Sequence, residues 1–152
     1  MDAYALDLSD GQRVLEIGTG TGYNAALLCH RLGAANVVSI DIDLTLVDQA
    51  REHLAELGYA TLLEVGDGAD GVPGAAPYDA ILATAAVDHI PHAWIEQLRP
   101  GGIILTDLRG GFSGAMVRLR KIDGARSRAA ATITSQPSCR CAGRRATRCA
   151  RA

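Results

Sequence analysis

This sequence of 152 residues contains no apolar run near the ~20 residues that a membrane-spanning helix requires. Its first residues include acids at Asp2, Asp7 and Asp10, and they lack the basic region followed by an apolar region that marks a secretory signal. The length suits one domain. These absences predict a soluble cytoplasmic protein that does not act at a membrane.

Cysteine is scarce before the last part of the chain, and acids are absent from that part. Cys29 is the one cysteine before residue 139, which predicts a small core residue and no disulfide framework. Residues 1–123 hold all 17 acids, whereas residues 124–152 hold seven arginines and no acid. We therefore predict a folded domain over 1–123 and an unstructured tail over 124–152.

Three other interpretations of the tail remain open. A run of arginines is compatible with an arm that binds nucleic acid. The cysteines suggest a zinc site, but Cys139 and Cys141 are closer than the usual C-x₂₋₄-C pair and the tail has no histidine. A translation product of a shifted reading frame would also have such a composition. We expect neither a nucleic-acid partner nor a metal site.

A glycine-rich segment is the strongest positive signal. Residues 14–23, VLEIGTGTGY, run from an apolar stretch through Gly18, Gly20 and Gly22 into a helical pattern. Three such glycines indicate backbone with φ above zero, or a ligand close to the backbone. The carboxylate of Glu16 is placed to accept from an ammonium group or from the N–H groups of the loop. We predict a loop that holds a nucleotide-like cofactor, although an empty turn would look similar.

The identity of the cofactor stays open at this point. The glycine segment lacks the lysine of a P-loop, which argues against a triphosphate. A G-x-G-x-x-G dinucleotide fingerprint would need glycine where Tyr23 stands, but Ala25 satisfies the looser G-x-G-x-x-A form counted from Gly20. An NAD-dependent oxidoreductase is therefore an alternative.

Strand and helix patterns alternate along the chain and predict an α/β fold with a mostly parallel twisted sheet. An antiparallel strand is predicted over 115–122, with a return strand over 127–134. The remaining predicted strands cover 13–18, 36–41, 61–65, 78–84 and 103–106, and predicted helices include 23–32, a pattern from Val47 to Leu57, and 91–98.

Acidic residues lie where the second and third predicted strands end. Asp41 is placed to accept both hydroxyls of a ribose. Asp67, between two glycines, is placed to accept from the amine of an adenine while the Gly68 N–H donates to a ring nitrogen. A plain turn at Gly66–Gly68 is the alternative.

Several segments together resemble the protein-L-isoaspartate O-methyltransferase family. They are VLEIGTGTGY, SID at 39–41, GDG at 66–68, APYDAI at 76–81, TAA at 84–86 and EQLRPGG at 96–102, and the resemblance covers residues 12 to about 107. It implies a Rossmann-like class I methyltransferase fold with helices on both faces, strand order 3-2-1-4-5 and further edge strands. It also implies a domain that binds S-adenosylmethionine, through Glu16, Gly18, Thr19, Gly20, Gly22, Asp41, Ile42, Asp67 and Gly68.

The activity implied by the resemblance is methyl transfer to the carboxylate of L-isoaspartyl residues in a protein or peptide, as a repair reaction carried out by a monomer. An ionised carboxylate needs no general base. Thr84 is a candidate donor to the substrate carboxylate, and His89 and His92 lie in the loop where substrate would enter. Two alternatives remain: a methyltransferase for aspartate in a ribosomally made peptide, and a binding module without turnover.

The sequence departs from the family pattern in three places. Family members carry a Ser-x-Pro segment before the glycine loop whose serine contributes to the active site, and residues 1–17 contain none. The arginine-rich tail stands where apolar final strands are expected. Asp41 replaces the more usual glutamate and keeps the carboxylate. We expect an intact cofactor half and an incomplete substrate half.

Overall fold

The computed structural model describes residues 8–110 and 114–122, together with the backbone of residues 129–132. This part of the chain contains seven strands and three α-helices, with an α-helix after each of β1, β2 and β4. The strands are β1 (Val14–Ile17), β2 (Val37–Asp41), β3 (Leu62–Val65), β4 (Tyr78–Val87), β5 (Leu98–Arg109), β6 (Gly114–Lys121) and β7 (Ala129–Thr132), and the helices are α1 (Tyr23–Leu32), α2 (Leu44–Glu56) and α3 (His92–Gln97).

All seven strands form one sheet in the order β3-β2-β1-β4-β5-β6-β7. The first five strands in that order pair in parallel, and β6 and β7 continue the sheet by antiparallel pairing. The predicted α/β class, the order 3-2-1-4-5 and the additional edge strands are confirmed. Strand order reverses beside β1, where one connection runs towards β2 and the other towards β4, and such a reversal is where ligands bind in open α/β sheets.

Both faces of the sheet are covered by helices. Leu15 and Ile17 of β1 pack in a cluster that contains Trp94 of α3. Val14 packs on the opposite face against Leu28 of α1, and α2 joins that side through its own apolar cluster with α1 and β3. Because the central strands are buried on both faces, they are mostly apolar, as parallel strands usually are, and Glu16 and Ser39 are buried polar exceptions in β1 and β2.

The helices begin and end where the sequence supplies the appropriate residues. Gly22, with φ of +83°, precedes α1, and Gly33, with φ of +85°, follows it. Asp43 caps α2, since its side chain accepts from the backbone N–H groups of Thr45 and Leu46. The N-terminal caps Gly22 and Asp43 therefore set where α1 begins after β1 and where α2 begins after β2.

The largest difference from the predicted elements is in β5. Residues 99–102 were expected to form a turn before a strand over 103–106, but β5 spans Leu98–Arg109. Leu98 pairs with Tyr78 and Ile103 pairs with Ala80, so the intervening residues form an irregularity within one strand. Gly101 has φ of +77°, which permits this extra backbone without ending the pairing.

Within the predicted tail, the structure describes only Ala129–Thr132, which pair with Arg118–Lys121. These residues lie inside the predicted return strand. The tail cysteines and the alternatives based on them lie outside the described residues. In the described part, no helix is long and apolar enough to cross a membrane, and no group of His, Cys, Asp and Glu side chains could hold a metal ion.

Candidate functional site

The carboxyl ends of β1, β2 and β3 meet in one cleft of about 260 Å³ on the α3 face of the sheet. Five of the predicted site residues line this cleft, namely Gly18, Asp41, Ile42, Asp67 and Gly68. The cleft is also lined by Ile17, Ile40, Ala69, Ala85, Val87, Pro91 and Trp94. The structure therefore brings together predicted site residues that are up to 50 positions apart, as expected for residues at the carboxyl ends of parallel strands.

The glycine loop requires glycine at two positions for different reasons. A Cβ on Gly18, where φ is +93°, would lie 2.5 Å from Oγ1 of Thr84. A Cβ on Gly22 would lie 3.1 Å from the Cβ of Ala50, so this glycine lets α1 approach α2 closely. Gly20 has φ of +52° and open space around it. Thr19, Gly20 and Gly22 are not among the residues that line the cleft, and their contact with a cofactor stays a prediction.

The N–H groups of the loop bond to neighbouring chain segments. Gly18 and Thr19 both donate to the carbonyl of Ile40, at 2.8 and 3.3 Å. Gly20 donates to Oδ2 of Asp41 at 2.9 Å. The loop is therefore attached to the end of β2 through backbone and side chain together.

Asp41 is oriented by two backbone donors. Besides the Gly20 bond to Oδ2, Oδ1 accepts from the N–H of Asp43 at 3.1 Å. Each oxygen of a carboxylate has a second lone pair, so the group can still accept two hydroxyl protons from a ribose. Ile42, next to it, is 75% exposed and forms an apolar wall of the cleft.

Asp67 and Gly68 form a turn with free hydrogen-bonding groups. Oδ1 of Asp67 accepts from the N–H of Ala69 at 2.9 Å, which leaves Oδ2 available. Among the described residues, the N–H of Gly68 has no hydrogen-bond partner. A Cβ at residue 68 would lie 2.5 Å from Cγ2 of Ile17, so glycine is required there. An acceptor and a donor in adjacent residues match the edge of an adenine.

Glu16 is completely buried beneath the glycine loop. Its Oε2 accepts from the hydroxyl of Ser39 at 2.6 Å, and Ser39 is 2.7 Å from the hydroxyl of Thr19. Burial raises the pKa of Glu16 from 4.5 to about 7, with the Ser39 hydrogen bond opposing this and the charge of Asp41 adding to it. Within the described part of the chain, Oε1 has no partner.

The expected role of Glu16 is therefore corrected. It was expected to accept from an ammonium group or from the N–H groups of the loop. The N–H groups of Gly18, Thr19 and Gly20 bond to β2 instead, and Glu16 is buried and reaches the loop through Ser39 and Thr19. Because side chains alternate along a strand, Glu16 lies on the same face of the sheet as Val14, which packs against α1, whereas the cleft lies on the opposite face beside α3.

Thr84 also differs from its expected role. Its hydroxyl lies 2.9 Å from the carbonyl oxygen of Gly18 and 3.1 Å from that of Ile17. The single hydroxyl proton is directed at these carbonyls, so it is not free to donate to a substrate carboxylate. Thr84 instead attaches the glycine loop to β4.

Trp94, the only tryptophan of the chain, was not among the predicted site residues. Its side chain is buried, lines the cleft, and donates from Nε1 to the carbonyl of Gly68 at 2.7 Å. The signal that could have located it is a lone tryptophan in a short helix between β4 and β5. His89 and His92 are exposed beside Asp88 and Glu96, respectively, and neither lines the cleft.

Known proteins with similar sequences belong to the family that the sequence resembles. Residues 1–134 match the family model described as protein-L-isoaspartate(D-aspartate) O-methyltransferase. The protein-L-isoaspartate O-methyltransferase of Azorhizobium caulinodans is 46% identical over 105 residues, which cover 68% of this chain and 48% of the relative. The chain thus spans about half the length of this curated relative.

Solved structures agree in fold. A protein-L-isoaspartate O-methyltransferase superposes with a TM-score of 0.73 at 31% identity, covering 88% of this chain and 43% of that structure. A SAM-dependent methyltransferase from Geobacter sulfurreducens in complex with S-adenosyl-L-homocysteine gives a TM-score of 0.59 at 28% identity, covering 68% and 44%. With the family match extending over most of the sequence, the chain belongs to the protein-L-isoaspartate O-methyltransferase family.

Proposed function

We propose that this chain binds S-adenosylmethionine in the cleft and directs methyl transfer to the carboxylate of L-isoaspartyl residues in proteins or peptides, a repair reaction. The observation that carries the proposal is the set of free groups at the strand ends. Asp41 supplies a fixed carboxylate, and Asp67 and Gly68 supply an acceptor beside a donor. The family membership of the chain and the S-adenosyl-L-homocysteine held by its structural neighbour support the same assignment.

The residues present fit this cofactor. A nucleoside needs acceptors for its ribose hydroxyls and a polar edge for its base, and the cleft offers Asp41 for the first and Asp67 with Gly68 for the second. The apolar side chains of Ile17, Ile40 and Ile42 line the same cleft, which suits the flat faces of a purine. When bound, S-adenosylmethionine supplies a methyl group on a positively charged sulfur.

The remaining task of the protein is to position the substrate and exclude water. An isoaspartyl carboxylate is already ionised at neutral pH, so no residue has to remove a proton from it. The pKa of Glu16 is raised to about 7, but this side chain is buried under the glycine loop and is not placed to act as a base on a substrate. Alignment of two bound reactants can account for a large part of the acceleration in such a reaction.

A second candidate function is favoured by the residues that were predicted to contact a substrate. Thr84 bonds to the glycine loop, and His89 and His92 do not line the cleft. This candidate is a module that binds S-adenosylmethionine without transferring its methyl group. We place the cofactor-binding domain within residues 1–123.

The test uses S-adenosylmethionine with a tritiated methyl group and two peptides of identical sequence, one with an isoaspartyl and one with an aspartyl residue. We expect base-labile label in the isoaspartyl peptide only. The Azorhizobium caulinodans relative serves as the positive control. Cofactor binding without label in either peptide would favour the binding module, and label in the aspartyl peptide would contradict the proposed substrate.

A further inference from the structure

Three buried side chains hold the loop that follows β3. The loop carries Asp67 and Gly68, and β3 is a strand of four residues at the edge of the sheet with most of its surface exposed. Trp94 donates from its indole N–H to the carbonyl of Gly68 at 2.7 Å. Gly68 lines the cleft, and this bond fixes the peptide unit that follows its N–H, which is unpaired among the described residues.

Gln97 holds the loop at two further points. Its Oε1 accepts from the N–H of Val72 at 2.9 Å, and its Nε2 donates to the carbonyl of Asp70 at 2.8 Å. The amide lies across Gly71, where φ is +62° and a Cβ would lie 2.5 Å from Oε1 of Gln97. The side chain thus closes the gap between Asp70 and Val72 as a neighbouring strand would.

Tyr78 completes the set. Its hydroxyl donates to the carbonyl of Val72 at 2.7 Å. Burial raises the pKa of Tyr78 to about 12, so the hydroxyl stays protonated and remains a donor at any physiological pH. All three side chains are at least nine-tenths buried.

The position of the loop matters for recognition because a base is read at its edge. An adenine presents an amine to Asp67 and a ring acceptor to the Gly68 N–H, whereas a hypoxanthine presents a carbonyl and a ring N–H to the same groups. A rigid edge rejects the second pattern since both groups are then left unpaired. A loop free to rotate its peptide units would adapt to either.

We propose that Trp94 and Gln97 are positioning residues that fix Asp67 and Gly68, and so make the site selective for a 6-aminopurine over a 6-oxopurine nucleoside. This inference rests on the proposed cofactor function. Both residues lie on α3, so this helix would fix the position of the loop that follows β3. Neither residue is required to touch the chemistry of methyl transfer.

The test measures the affinities of S-adenosylhomocysteine and S-inosylhomocysteine by calorimetry at one pH. The ratio of the two affinities is the readout, because a merely structural loss of binding lowers both affinities alike. The variants are Trp94→Phe, which removes the N–H and keeps an aromatic ring, and Gln97→Glu, which removes the donor to Asp70. Glu96→Gln is the matched control, since it makes the reciprocal change at an exposed position of the same helix.

We expect the unmodified chain and the Glu96→Gln variant to bind S-adenosylhomocysteine about 100-fold more tightly than S-inosylhomocysteine. In Trp94→Phe and in Gln97→Glu, we expect this affinity ratio to fall to about 10. Unchanged ratios in folded Trp94→Phe and Gln97→Glu proteins would overturn the inference. Failure of the unmodified chain to bind S-adenosylhomocysteine would instead overturn the proposed function.

A measurement on the unmodified chain covers the case in which both variants unfold. The chain has one tryptophan, so its indole N–H gives a single side-chain resonance. We expect this resonance to shift when S-adenosylhomocysteine is added and to shift differently, or remain in place, with S-inosylhomocysteine. An identical response to both nucleosides, or no response to either despite calorimetric binding, would overturn the inference.

Discussion

The N–H of Gly20 donates to Oδ2 of Asp41 at 2.9 Å, and this bond joins the loop after β1 to the end of β2. Since Oδ1 accepts from the N–H of Asp43, both oxygens are oriented without any ligand. Hydrogen bonds from backbone amides to a carboxylate are among the stronger ones in proteins. The ribose-binding group of the proposed site is therefore positioned in advance, and binding does not have to order it.

Gly18→Ala is expected to destabilise the fold more than Gly20→Ala. Both residues have positive φ, which costs an alanine about 1 kcal/mol or more, but a Cβ on Gly18 would also lie 2.5 Å from the Thr84 hydroxyl. We predict a loss of about 3 kcal/mol or more for Gly18→Ala and about 1 kcal/mol for Gly20→Ala, measured by urea unfolding. Equal losses for the two variants would show that the contact between the loop and β4 is not close.

Glu16→Gln is expected to reduce the dependence of stability on pH. As pH rises from 4.5 to 7, the unfolded chain releases the Glu16 proton while the folded chain retains it. The unfolded state is then favoured, and Glu16 lowers the free energy of unfolding by about 2–3 kcal/mol between pH 5 and pH 8. The variant lacks this contribution, so its free energy of unfolding should fall less over the same range.

The control for this prediction is Glu52→Gln, which removes a carboxylate from an exposed position on α2. Its pH dependence should follow that of the unmodified chain within a few tenths of a kcal/mol. If Glu16→Gln also follows the unmodified chain, the folded protein binds no extra proton at Glu16.

Thr84 is expected to act on the loop and not on a substrate. Thr84→Val keeps the branched shape but leaves the carbonyls of Ile17 and Gly18 without their donor, which should lower the free energy of unfolding by about 1–2 kcal/mol. Thr84→Ser keeps the hydroxyl and should lose less than half of that. Thermal unfolding of the two variants measures the difference. Serine and valine variants of equal stability would argue that the hydroxyl has another role.

The cofactor side of the site was predictable because it depends on strand ends. Parallel strands bring their carboxyl ends to one edge of the sheet, so Asp41 and Asp67 could be placed beside Gly18 without knowledge of side-chain contacts. The glycines predicted the loop itself, since backbone with positive φ is unfavourable for other residues.

The parts that could not be predicted depend on partners far away in the sequence. Thr84 bonds to residues 66 and 67 positions earlier, and Trp94 bonds to a residue 26 positions earlier. Periodicity reports which face of an element is apolar, but it does not identify the atom that a buried polar group contacts. For the same reason Glu16 was assigned to an ammonium group or the loop N–H groups, although it accepts from the hydroxyl of Ser39 on the adjacent strand.

The most direct test of the cofactor site is calorimetric titration with S-adenosylhomocysteine of three chains: unmodified, Asp41→Ala and Asp48→Ala. Asp48 is an exposed acid on α2 that pairs with Arg51, so its variant controls for the loss of one charge. We predict binding by the unmodified and Asp48→Ala chains, and an affinity at least ~30-fold weaker for Asp41→Ala. No binding by a folded unmodified chain, or equal affinities in all three, would contradict the assignment of this cleft.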